Sequence, residues 1–85
     1  MENGSMLVLV QDQEGQSLPG ASVLIAGPTH REGMTNVEGK AIFQDLPPGN
    51  YKVKAQLEGF KPDTEPTAVE PQQTAELTFR LKLDP

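Results

Sequence analysis

The residues best equipped for chemistry in this chain are its one histidine, His30, and four carboxylates beside turn-forming residues: Asp12, Glu14, Glu38 and Asp45. His30 stands next to Arg31 and Glu32, where it could act as a base or a metal ligand. A zinc site draws on several His or Cys ligands, and a chain with one His and no Cys cannot assemble them. A Ser–His–Asp relay is composable from Ser17 or Ser22 with His30, but no nucleophile-elbow motif surrounds either serine. Asp12-x-Glu14-Gly15 lacks the run of oxygen ligands of an EF-hand loop, so turn formation is the simpler role for these carboxylates. No spacing selects a glycosidase-like carboxylate pair. The expectation is therefore no catalytic, cofactor-binding or metal-binding residue, with His30 exposed in a loop.

Binding chemistry is similarly sparse. Lys52 and Lys54 share one face of a strand pattern, and Arg80 and Lys82 share another. Were those strands neighbours they would form a small basic patch, but solvated sheet faces explain the same pattern. The net charge of −5 and pI of about 4.6 disfavour nucleic acid and anionic lipid as partners. Tyr51 is in phase with Val53 and reads as core. With no Trp, one Tyr and three Phe, the chain has few aromatics to spare for stacking on a sugar. Asn3-Gly4-Ser5 matches a glycosylation sequon, incidental in a leading tail.

The elements that position these residues are strands. Eight glycines and eight prolines in 85 residues divide the chain into segments too short for a helical bundle, a coiled coil or a membrane span. Tyr51, Val53, Ala55 and Leu57 alternate with polar residues, as do Ala75, Leu77, Phe79, Leu81 and Leu83. In a helix these sets would scatter around the axis; in a strand each makes one buried face. Met6 to Gln11 is apolar on both faces, which suggests a central strand or one covered by a neighbour. Ala21, Val23 and Ile25 face one way, and Lys40 to Gln44 buries Ala41 and Phe43 while leaving Ile42 outside. Arg31 to Thr35 and Ala68 to Glu70 are short and polar, and Pro62, Pro66 and Pro71 confine their region to an edge strand or loop. Asn36 to Gly39 suits a hairpin loop with Gly39 at positive φ, and Pro47 to Asn50 suits a type II turn. Ser17 to Gly20 suits another tight reversal. The pattern predicts an all-β, seven-stranded antiparallel β-sandwich. Residues 1–5 read as a flexible tail, 6–83 as a single domain and 84–85 as a second tail.

Taken in order, these residues resemble the carboxypeptidase regulatory-like domains. Asp12-x-x-Gly15-x-x-Leu18-Pro19-Gly20-Ala21-x-Val23-x-Ile25 is similar to the family's first hairpin. Thr35-Asn36-x-x-Gly39-x-x-x-Phe43-x-x-Leu46-Pro47-Pro48-Gly49-x-Tyr51-x-Val53 is similar to its central hairpins, and Gly59-Phe60 to the Gly-aromatic pair that follows. The early glycine of the family's first strand is missing at Met6-Leu7-Val8, and Asn36 stands where aspartate is commoner.

The resemblance implies a transthyretin-like Greek-key sandwich serving as an accessory module. Relatives adjoin metallocarboxypeptidases, transporters and surface proteins, and similar collagen-adhesin B-type repeats act as stalks. Those repeats can carry a Lys–Asn isopeptide cross-link. Here the first strand has no lysine and the last has no asparagine, so no cross-link is expected. The expected function is a non-catalytic module that spaces or docks neighbouring domains of a larger envelope or secreted protein, acting as a monomer outside the cytoplasm. The alternatives are recognition of a protein segment or carbohydrate through loops or an edge strand, and, more remotely, a transthyretin-like hydrolase. The Tyr-Arg-Gly-Ser signature of the hydroxyisourate hydrolases is absent from the chain's end, Leu81-Lys82-Leu83-Asp84-Pro85.

Overall fold

A computed structural model describes residues 2–84. The elements are β1 (Gly4–Gln11), β2 (Ser22–Ala26), β3 (His30–Met34), β4 (Lys40–Leu46), β5 (Gly49–Gln56), β6 (Asp63–Val69) and β7 (Thr74–Arg80). They form two sheets, one ordered β4-β1-β7 and the other β3-β2-β5-β6. The inward residues of both interlock in one core: Met6, Val8 and Val10 from β1, Val23 and Ile25 from β2, and Ala41, Phe43 and Leu46 from β4. Tyr51, Val53 and Ala55 from β5, Val69 from β6 and Phe79 from β7 join them, with Ala21 and Leu81 just outside the strands. Strict alternation in β5 and β1 follows from the two-residue period of a strand lying between a core and a second surface.

Several sequence expectations require correction. β1 begins at Gly4, so Gly4 and Ser5 belong to the sheet and not to a tail. β7 ends at Arg80; Leu81 is still buried, but Leu83 is exposed and forms an isolated bridge with Phe60. Asp84 also donates its amide to Gly59 O, so the end of the described chain is tied to the β5–β6 turn. The sandwich is not wholly antiparallel, because β1 and β7 run parallel. The β1–β2, β3–β4 and β4–β5 connections, read as parts of hairpins, are links between the two sheets; the hairpins are β2–β3 and β5–β6. Turn chemistry decides how the chain bends at such points, not which sheet it enters.

Strand directions place the β1–β2, β3–β4 and β5–β6 connections at one pole of the sandwich. The start of β1 and the β2–β3, β4–β5 and β6–β7 connections lie at the other. The molecule measures 44 × 20 × 17 Å. Four strands abreast need only ~19 Å and two stacked sheets ~10 Å, so the long dimension follows the strands.

Candidate functional site

Of the residues singled out for chemistry, Asp12 has its side chain engaged by a turn. Asp12 Oδ1 accepts hydrogen bonds from the amides of Glu14 (2.8 Å) and Gln16 (2.9 Å), while Gly15 N donates to Asp12 O at 3.1 Å. Asn36 Oδ1 likewise accepts from Glu38 N (2.9 Å) and Lys40 N (3.1 Å). These are Asx turns, in which a short side chain stands in for a backbone carbonyl. Gly39, at φ 75°, packs so closely that a Cβ would lie 2.8 Å from Val10 O. Beneath this pole, the buried Thr35 hydroxyl donates to Leu18 O (2.6 Å) and accepts from Ala21 N (2.9 Å), joining the β1–β2 and β3–β4 connections.

Asp45 belongs to the opposite pole, apart from the other three carboxylates. It adopts φ 58° at a bulge where the β1–β4 register shifts between Gly4 and Met6. Among the described residues, no group of three or more His, Cys, Asp or Glu side chains could hold a metal ion.

His30 is exposed, as expected, but it is the first residue of edge strand β3, paired with Ala26, and not a loop residue. Ser22 lies opposite Met34 at the far end of the same ladder, ~13 Å away at the usual rise per residue. Ser17 bridges to Gln11 at the other pole from His30. Neither serine can therefore be activated by His30. Lys52 and Lys54 lie on β5 and Arg80 on β7, in different sheets, so the conditional basic patch does not form.

Two connections were invisible in the sequence. The Arg31 guanidinium reaches from β3 to the other sheet, donating to Gln44 O (3.2 Å) and Asp45 O (3.3 Å) at the bulge. An arginine in a polar strand gave no local sign of this. The Tyr51 hydroxyl donates to Pro47 O. Burial pushes the Tyr51 phenol above its ordinary value of 10.0, with the Arg31 charge opposing that rise.

The remaining candidates are surfaces. Ser22, Leu24, Glu32, Met34 and Gln56 line an open depression on the outer face of the four-stranded sheet. On the outside of the three-stranded sheet Ile42 is 61% exposed, opposite the half-buried Leu7. Tyr51, Phe43 and Phe79 are buried and Phe60 partly so, which leaves no ring presented as a sugar platform among the described residues.

Two sheets around one mainly aliphatic core, with the Asp12 and Asn36 side chains committed to turns, define an all-β sandwich module. The family model for carboxypeptidase regulatory-like domains matches residues 5–82, and the chain belongs to that family. Solved structures share its fold, two of them from Gram-positive bacteria. The Bacillus anthracis TIE protein superposes with a TM-score of 0.86 at 22% identity, over 96% of this chain and 17% of that one. The minor pilin of the Gram-positive pathogen Streptococcus agalactiae superposes with a TM-score of 0.84 at 17% identity, over 99% of this chain and 46% of that one. The chain thus spans less than half the length of either. A search of curated proteins returned no match.

Proposed function

We propose that this chain is a non-catalytic module of a larger envelope or secreted protein, where it holds neighbouring domains at a fixed separation. The observation that carries this reading is the placement of its ends. The chain enters β1 at one pole and leaves β7 at the other, a full strand length apart along the long axis of the sandwich. Domains attached at those points would be kept apart by a rigid sandwich. That structures with the same fold come from longer chains, one of them a minor pilin, agrees with use as a unit of a surface protein.

Two copies joined in tandem should scatter X-rays as a rod about twice as long as one copy. A compact, side-by-side particle would overturn the spacer reading. Hydrolysis of a small substrate by the isolated chain, lost on His30→Ala, would overturn the non-catalytic reading.

A second reading is supported by the β3 edge. That strand, His30–Met34, has no proline and borders the depression lined by Met34 and Leu24, whereas the opposite edge strand carries Pro66. An extended peptide could add there as a fifth strand, held by backbone hydrogen bonds. Saturable shifts of β3 amide signals on peptide titration would favour it.

A further inference from the structure

The two strands through which the chain enters and leaves lie side by side and parallel. Their register runs unbroken from Ser5–Thr74 to Gln11–Arg80. Hydrogen bonding continues past both ends of the pair: Gln72 N donates to Asn3 O (3.1 Å), Ser5 N to Gln73 O (2.9 Å) and Leu81 N to Gln11 O (2.8 Å). Neither strand contains a proline. Gly4, the one glycine in the pair, is buried where a Cβ would strike Glu70 O and come within 2.6 Å of Val69 Cγ1. The exit from β7 is tied to the β5–β6 turn, with Lys61 N donating to Lys82 O (2.8 Å) and Asp84 N to Gly59 O (3.0 Å).

This arrangement fixes how the molecule meets a pull. Tension between the start of β1 and the end of β7 drives two adjacent strands past each other along their length. The inter-strand bonds are evenly spaced along a parallel pair, so all of them are strained together. A pull on two neighbouring strand ends would instead open the bonds one after another.

We propose that the β1–β7 pair is a tension-bearing clamp, giving the sandwich the further function of carrying load between attachments at its poles. Only its use in a larger protein rests on the spacer reading; the directional resistance belongs to this chain alone.

The chain has no cysteine, so engineered pairs can direct force cleanly. Glu2→Cys with Asp84→Cys loads the strands in shear, and Glu2→Cys with Gln73→Cys loads adjacent ends and peels them. All three sites are exposed. Forced unfolding reads the unfolding barrier, and at one pulling speed the shear pair should require about twofold or more the force of the peeling pair. Equal forces, or a stronger peeling geometry, overturn the clamp. Matched melting temperatures establish that both variants start from the same fold; should Gln73→Cys lower that temperature, Thr74→Cys loads the same end of β7 from another exposed position. A compact tandem with directional resistance intact would remove the spacer reading and keep the clamp. An extended tandem without that resistance would do the reverse.

Discussion

Thr35 is the buried polar residue of the described core, and its hydroxyl satisfies two backbone groups of another loop. Thr35→Val keeps the shape but strands Leu18 O and Ala21 N, which should cost roughly 1–3 kcal/mol in urea unfolding. Thr35→Ser should recover most of the loss. Gly39 and Gly15 separate two costs that glycine avoids. Both have positive φ, but only Gly39 is crowded, by Val10 O and Ser17 Cβ. Gly15→Ala should therefore lose about 1 kcal/mol of backbone strain, and Gly39→Ala clearly more. Tyr51 predicts an alkaline signature. Its folded-state pKa is raised, chiefly by burial, so the unfolded chain loses the phenol proton first. Stability from this group is whole below pH 10.0 and falls as pH rises from there through the folded value. Tyr51→Phe should flatten that fall in a series of melts at rising pH.

The elements were legible in the sequence to the extent that the chain alternates locally. β5 announced itself through Tyr51, Val53 and Ala55, and the outward placement of Ile42 followed from Phe43 facing in. The pairing of β1 with β7 was not legible, because nothing in Met6–Gln11 or Ala75–Arg80 records a neighbour from the far end of the chain. For the same reason three connections read as hairpins when they cross between sheets. The site was legible mostly as turn chemistry: Asp12 and Asn36 are turn residues, while the reach of Arg31 to the bulge depends on tertiary placement. Pro66 was read as belonging to an edge strand or loop, and it lies in edge strand β6. The β5–β6 register continues through it, which a proline permits only where its nitrogen faces away from the neighbour. Pro66→Val would restore an amide to that open edge. It should raise self-association in sedimentation or light scattering without lowering the melting temperature.

At the scale of the whole molecule, small size leaves stability dependent on one mainly aliphatic core, with no cysteine available for a disulfide. Neither β1 nor β7 provides a Lys–Asn pair, so the intact mass should equal that of the sequence; a loss of one ammonia or water would reveal a cross-link. The parallel strand pair also governs how the chain acquires its shape. Ser5 has Thr74 as its partner, nearly the full length of the chain away. Loop closure over such a distance precedes any reward from contact, and all-β domains of this kind fold on the order of milliseconds to seconds. A ribosome or a secretion channel delivering this chain from its N-terminus would release β1 long before β7. Until that last strand arrives, β1 lacks one of its two neighbours. A polypeptide whose architecture closes only on its final strand stays threadable for most of its journey, and becomes resistant to traction once the journey is complete.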